Sequence, residues 1–323
     1  MMGRSMWRAL IVIATATIAI TTLTACDSDG SKDDSAPSPT TVAEEKPTPP
    51  APDCGDPRDS FAPDAARPTP GQMPDGSFMK KIQDRGRLIV GVAADNYLFS
   101  FQNPQTGQLE GFDIDVAKRI AREILGDENK IEYRVMTFAE RIPALEDNSV
   151  DMVADIMTIN CTRWGQISFS SQYYDAGQRI LVRRDSKVKT VNDLNGQRVC
   201  VGDGSTSQEN MEKYKKVKLV VVDDVSDCMV LFQQGAVDAL VSDDTVLVGF
   251  AKQDPYARVI TEGAPLSSEP YGLGVKKDHP EFVRFINSVL EDARRDGSWK
   301  QWYAKNLGNP VPEPPSPRYG RQP

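Results

Sequence analysis

Apolar and polar positions change rhythm along this chain in a regular way. Residues 88–92, Leu-Ile-Val-Gly-Val, are a short apolar run that reads as a buried strand. Ile114, Val116, Ile120 and Ile124 then recur at helical spacing, predicting a helix over 113–125. The alternation continues with a strand at 131–136, a helix at 138–148 and a strand at 150–156. Beyond a polar turn come strands at 178–183, 197–202, 218–222 and 239–242, with helices at 191–194, 208–214 and 226–234 between them. A strand at 272–276 and helices at 281–296 and 299–306 close the series. Strands alternating with helices imply α/β layers with largely parallel sheets.

Two features predict two lobes. Val191-Asn-Asp-Leu-Asn-Gly-Gln-Arg-Val199 opens a second strand–helix series, and Glu269-Pro-Tyr-Gly-Leu-Gly-Val275 returns to the style of the first. The chain is expected to cross over and come back. Ligands of open α/β sheets bind at the carboxyl ends of strands, so two facing lobes offer a cleft between two such edges.

The rhythm stops at both ends. Residues 27–74 are mostly Pro, Ser, Thr, Asp and Ala, and Pro37, Pro39, Pro47, Pro49, Pro50 and Pro52 favour an extended spacer. Cys54 and Phe61 hint that part of this arm docks. Residues 310–323 are again Pro-rich and polar, a tail expected to fray. At the start, Arg4 and Arg8 precede an apolar stretch, 9–20, which is too short for a comfortable span and reads as a secretory signal.

The formal net charge of −8 argues against nucleic acid as a partner. Four cysteines beyond Cys26 allow three disulfide pairings in an exported chain. Cys200, in a predicted strand, is expected to meet Cys228, at the head of a helix that should pack beside it. Cys54 and Cys161 then pair by elimination. No Cys-x-x-Cys occurs and His279 is the only histidine, so no metal site is expected. Gly202-Asp-Gly204 lacks the lysine of a phosphate loop, and no cofactor is expected.

Leu23-Thr-Ala-Cys26 resembles the lipobox of bacterial lipoproteins, in which the cysteine is acylated and becomes the new N-terminus. Gly86-Arg-Leu-Ile-Val-Gly91, Leu109-Glu-Gly-Phe-Asp-Ile-Asp-Val-Ala117, Arg141-Ile-Pro-Ala-Leu145, and Arg163 leading into Ile167-Ser-Phe-Ser170 resemble family 3 extracellular solute-binding proteins. These are amino-acid receptors of ABC transporters. Gly204-Ser-Thr-Ser207, Ser226-Asp-Cys228 and Ser242-Asp-Asp244 are similar to the glutamate-binding lipoproteins of actinobacteria, including those described for glutamine. The resemblance implies a two-lobed periplasmic-binding-protein-like fold (type II), with two α/β lobes joined by two hinge strands. It divides the chain into a signal peptide (1–25), a lipidated Cys26 with its tether (26–76), lobe 1 (77–176 and 270–308), lobe 2 (177–269) and a flexible tail (309–323).

The resemblance also implies a site. Arg163 would grip the ligand α-carboxylate through its planar donor fork, and Thr158 would add a hydroxyl and an amide. Ser205 and Thr206 precede a helix whose Thr206 and Glu209 fit a Thr-x-x-Glu cap, and its free amides favour the same carboxylate. Asp243 would receive the ammonium, with Phe138 and Tyr97 as aromatic walls. The run Asn96-Tyr-Leu-Phe-Ser-Phe101 departs from the family's Tyr-Pro-Pro-Phe pattern at Tyr97. Arg141 would reach a side-chain carboxylate. Two arginines and one aspartate suit a dicarboxylic amino acid, while Asp95, Glu140 and Asp155 lie close enough in sequence to neutralise one arginine.

The expected function is a lipid-anchored extracytoplasmic receptor that closes on glutamate or aspartate, with asparagine or glutamine as weaker ligands, for an ABC permease. An amino-acid sensor working through a membrane partner protein needs the same closure and stays open as an alternative. A dehydratase-like enzyme on the same fold is disfavoured, because no Ser/His or Cys/His pair can be assembled around His279 and no catalytic residue is expected.

Overall fold

A computed structural model describes residues 52–322. The first series of elements runs α1 (Phe78–Arg85), β1 (Leu88–Val92), β2 (Asp95–Asn96), β3 (Ser100–Gln102), β4 (Leu109–Glu110), α2 (Phe112–Leu125), β5 (Ile131–Val135), α3 (Arg141–Glu146), β6 (Met152–Val153), α4 (Cys161–Trp164) and β7 (Ile167–Phe169). A ten-residue strand, β8 (Tyr174–Arg183), leads into a 3-10 turn at Val191–Leu194. After it come β9 (Arg198–Gly202), α5 (Thr206–Met211), β10 (Lys218–Val222), α6 (Val225–Gln233), β11 (Ala239–Asp243), α7 (Asp244–Gln253) and β12 (Ala257–Ile260). The chain returns through β13 (Ser268–Tyr271) to β14 (Gly274–Lys276), α8 (Pro280–Arg295) and α9 (Ser298–Asn306).

Two sheets define the two lobes. The first has the order β5-β1-β6-β14-β7, with β1 parallel to β5 and β6 and the returning β14 antiparallel to its neighbours. All five residues of β1 are buried, as a strand covered on both faces requires. The helical stripe read from the sequence is the inner face of α2, where Ile114, Val116, Ile120 and Ile124 are buried. The second sheet has the order β10-β9-β11-β8-β12, with β9 parallel to β10 and β11. The crossing is made by two antiparallel strands, β8 and β13, paired from Tyr174–Tyr271 to Gly177–Ser268. Gly177 is required there, because a Cβ would stand 2.7 Å from the Pro265 ring.

Several elements differ from expectation. The strand expected over 150–156 keeps only Met152–Val153, since Ile156 turns into the left-handed region at φ 39. The helix expected over 138–148 contracts to α3, and the Glu140 carboxylate turns back to accept from the Thr137 N–H at 2.8 Å. The small sheet β2-β3-β4 and helix α7 were not foreseen.

The flanks pack more closely than their composition implies. Both expected disulfides are present, Cys54–Cys161 and Cys200–Cys228. Phe61 is buried edge-on against Trp164, whose Nε1–H donates to the Pro57 carbonyl at 2.8 Å. Residues 310–322, read as a loose tail, lie along this arm. Ser60 N–H donates to the Arg318 carbonyl, Arg318 pairs with Asp56 and Asp59, and the Arg321 guanidinium sits 3.8 Å over the Trp164 ring. Charge pairs, backbone bonds to Ser60, one aromatic face and Val311 packed on the core hold this proline-rich segment. Cys26, the signal and most of the tether lie outside the described residues. Among the described residues no helix is long and apolar enough to cross a membrane.

Candidate functional site

The carboxyl ends of the parallel strands in both sheets face one another, and the chemistry collects there. Arg141 opens α3 with its side chain buried, its guanidinium 4.4 Å over the Phe138 ring. Its Nε donates to the Phe138 carbonyl at 3.0 Å, Nη1 to that of Asp155 at 2.9 Å and Nη2 to that of Gly204 at 3.4 Å. Arg163 rides on the single turn of α4, started by Asn160, whose side chain accepts from the Arg163 N–H. Its Nη1 donates to the Thr158 carbonyl at 2.8 Å and its Nη2 to Gly204 at 3.1 Å.

Two cations of lobe 1 thus share one carbonyl of lobe 2. Gly204 permits this approach: its φ is 67, and a Cβ would lie 2.7 Å from the Ala139 backbone. Burial holds Arg141 below its ordinary value. It lowers Arg163 to about 10, with the neighbouring Arg141 acting in the same direction.

Lobe 2 supplies the start of α5. The cap is Ser205, not the expected Thr206–Glu209 pair. Ser205 Oγ accepts from the Gln208 N–H at 3.1 Å and donates to the Gly202 carbonyl at 2.6 Å. Thr206 is the first helical residue, so its hydroxyl is free to donate to Glu269 at 2.8 Å. The Thr158 hydroxyl donates to the same Glu269 oxygen at 2.7 Å. Asp243 ends β11, and its Oδ2 accepts from the Tyr271 hydroxyl at 2.6 Å. Burial first, then the Glu269 charge, pushes Asp243 up to about 8 against the pull of that hydrogen bond.

Phe138, Arg141, Thr158, Arg163, Ser205, Thr206 and Asp243 line one pocket, joined by Ile156, Ser207 and Ser242, and their side chains nearly fill it. Tyr97 is not brought there. It is 42% exposed and packs against Phe101. It lies beside Gly249 of α7, where a Cβ would stand 3.4 Å from the Tyr97 Cβ.

Sequence reasoning missed Glu269, Tyr271 and Gly204 as parts of the site, and it weighed Asp155 only as a neighbouring charge. Glu269 and Asp155 did carry a signal, each being an acid set against apolar residues of a strand-like segment. Both are buried, and neither Asp155 carboxylate oxygen has a hydrogen-bond partner. Among the described residues no cluster of His, Cys, Asp and Glu could hold a metal ion.

The family model for bacterial extracellular solute-binding proteins, family 3, matches residues 88–309. The chain is 42% identical over 213 residues to the glutamine-binding protein of Geobacillus stearothermophilus, covering 65% of this chain and 80% of that one. It is 34% identical over 242 residues to the glutamate-binding protein GluB of Corynebacterium glutamicum, covering 72% and 81%. Among solved structures, the P235GK mutant of ArgBP from T. maritima superposes with a TM-score of 0.67 at 35% identity, covering 72% of this chain and 99% of that one. An ancestral arginine-binding protein bound to glutamine gives 0.65 at 37%, covering 70% and 99%.

Proposed function

The chain belongs to the bacterial extracellular solute-binding proteins of family 3, and on that footing we propose that it captures glutamate or aspartate by closure of its two lobes and delivers it to an ABC permease. One observation carries this reading: two buried guanidinium groups, Arg141 and Arg163, point from lobe 1 at one carbonyl of lobe 2, with Asp243 across the same pocket.

A free α-amino acid brings one carboxylate and one ammonium. Arg163 and the amides at the start of α5 complement the carboxylate, and Asp243 complements the ammonium. Because Glu269 already takes the hydroxyl protons of Thr158 and Thr206, these residues would offer their backbone amides and hydroxyl lone pairs instead. Phe138 covers the aliphatic stem. Arg141 then takes a second carboxylate at the end of the side chain. The relatives are named for glutamine, glutamate and arginine, all α-amino acids, which agrees with a shared α-carboxylate and ammonium end and a variable side-chain end. We place the protein at the extracytoplasmic face of the cell membrane through an acylated Cys26, and Cys26→Ser should release it from the membrane fraction.

Isothermal titration at pH 6 with glutamate, aspartate, asparagine and glutamine tests the ligand reading. The acids are expected to bind best. Arg141→Ala should weaken them by about 10- to 150-fold, the worth of one charge-assisted hydrogen bond, and leave glutamine less affected. Equal binding of glutamine and glutamate at this pH, unchanged in the variant, would remove Arg141 from the site.

A further inference from the structure

The two disulfides differ in where they lie. Cys200–Cys228 joins β9 to α6 inside lobe 2, and both its cysteines are fully buried. Cys54–Cys161 joins the arm to the first residue of α4, and both its cysteines are only half-buried. Arg163 stands two residues further along α4 and lines the ligand pocket. Two residues turn a helix by about 200°, so Cys161 points out to the arm while Arg163 points in to the cleft.

One helical turn cannot hold itself in water, so α4 keeps its orientation through its neighbours. Its outward face meets the arm at three places: the disulfide at Cys161, the Trp164 Nε1–H on the Pro57 carbonyl at 2.8 Å, and Phe61 edge-on against Trp164. The arm has a separate anchor on the body of lobe 1. Ser60 Oγ donates to the Phe169 carbonyl at 2.8 Å, and Asn287 Nδ2 donates to Ser60 Oγ at 2.9 Å and to the Phe61 carbonyl at 2.7 Å. Opening the disulfide therefore leaves Ser60 and Phe61 docked and frees the residues ahead of them together with the start of α4. The change is local.

Resting on the amino-acid reading above, we propose that the Cys54–Cys161 bond positions Arg163, so that its redox state sets the affinity for the ligand α-carboxylate. Arg163 is aimed by giving Nη1 to the Thr158 carbonyl and Nη2 to the Gly204 carbonyl. A planar donor fork holds a carboxylate at two points only over a narrow range of orientations. With the bond oxidised, α4 presents that orientation before ligand arrives. With the bond reduced, α4 presents it part of the time, and the apparent affinity falls by the competent fraction.

The reductant is a dithiol. Its thiolate attacks one sulfur of the bond, and the other cysteine leaves as a thiolate and takes a proton. The reductant's second sulfur then displaces the first cysteine in the same way. Two electrons and two protons pass to Cys54 and Cys161, and the dithiol becomes a disulfide. Cys200–Cys228 is spared by its burial. If about one tenth of the reduced molecules hold α4 in place, glutamate and glutamine should weaken alike by about 10-fold, since both offer the same α-carboxylate. Linkage makes the effect reciprocal: saturating ligand must raise the dithiol excess needed to open the bond by the same factor of about 10.

The test is isothermal titration of the purified protein with glutamate and glutamine, before and after dithiothreitol, with alkylation and mass spectrometry identifying the opened cysteines. The double variant Cys54→Ser, Cys161→Ser, which lacks this bond alone, should match the reduced protein. In Arg163→Lys, which keeps the charge and gives up the fork, reduction should weaken binding by less than about threefold. A second readout equilibrates the protein in mixtures of reduced and oxidised dithiothreitol: glutamate should shift the midpoint by a factor that levels off at the ratio of the two affinities. Reduced protein that binds within twofold of oxidised overturns the proposal, as does an undiminished loss in Arg163→Lys. So does a midpoint that keeps moving in proportion to glutamate, because reduction has then unfolded the binding form instead of loosening one helix. If Arg163→Lys binds too weakly to titrate, the midpoint series decides. If neither amino acid binds the oxidised protein, the functional reading falls and the coupling with it; if they bind and reduction changes nothing, only the role of the disulfide falls.

Discussion

Glu269 lies in the crossing strand β13 and is 1% exposed, and one of its oxygens receives hydroxyls from both lobes, Thr158 at 2.7 Å and Thr206 at 2.8 Å. Its other oxygen receives the Ser267 hydroxyl. When the lobes part, one of the two threonine bonds must break and its groups return to water. Closure therefore gains one hydrogen bond to a charged acceptor, worth about 1.5–3 kcal/mol net. Thr206→Val keeps the shape of the side chain and removes that bond together with the lone pairs its hydroxyl offers the ligand, and the closed fraction without ligand reads the bond alone. If ligand binds the closed form, the variant should bind about 10- to 150-fold more weakly, with its closed population reduced to match. Titration gives the affinity, and fluorescence energy transfer between one dye on each lobe gives the closed fraction. Glu269→Gln, which retains one acceptor without the charge, should fall between wild type and Thr206→Val. Binding by Thr206→Val within twofold of wild type would refute the reasoning, because a bond made on closing cannot be removed without cost to the closed form.

Two further outcomes follow from the buried carboxylates. A ligand ammonium meeting Asp243 should expel the proton that Asp243 carries below about 8, releasing about 0.9 proton at pH 7 and almost none at pH 9.5, read by titration in buffers of differing ionisation enthalpy. The ligand-free protein should melt at its highest temperature near pH 4 and lose stability toward pH 8. Asp113 and Asp155, raised to about 7, and Asp243, raised to about 8, hold protons in the folded state that the unfolded chain has released above about pH 4, so stability drains from there until pH passes those values. His279, lowered by burial, works in the opposite sense but is one partly exposed group. A melting temperature that climbs from pH 5 to 8 would contradict this account.

Periodicity made most of the two sheets legible where a strand is a short apolar run beside an amphipathic helix, and β1, β10 and the buried face of α2 fall where it put them, while β7 and β12, three and four residues long, were not read. It failed where tertiary contacts outweigh local pattern. Helix α7 has a weak stripe, with Val246, Leu247 and Phe250 buried but Val248 exposed, so no single face stands out in the sequence. The two-residue strands β2 and β4 are too short to carry a period at all. In the site, the side chains that point into the pocket were readable by resemblance, while the partners behind them were not. Glu269 and Tyr271 come from a crossing strand read only as structural, and the part played by Gly204 is a backbone carbonyl, which no side-chain pattern announces. Tyr97, an aromatic placed by register, is not among the residues that line the pocket and packs against Phe101 instead.

The arm and tail bear on the site more directly than their composition suggests. Arg163 belongs to a helix of four residues, far too short to hold itself by its own hydrogen bonds. It is fixed from outside: Asn160 caps the first turn, Cys161 is tied to Cys54 in the arm, and Trp164 is held between Phe61 of the arm and Arg321 of the tail. A guanidinium that must meet a carboxylate in a planar, two-point geometry tolerates little rotation of its backbone. The segments that resemble a tether at one end and a loose tail at the other are therefore part of the scaffold for that arginine. Through Cys54 and Phe61 on one side and Arg321 on the other, the position of Arg163 depends on described chain far from it in sequence.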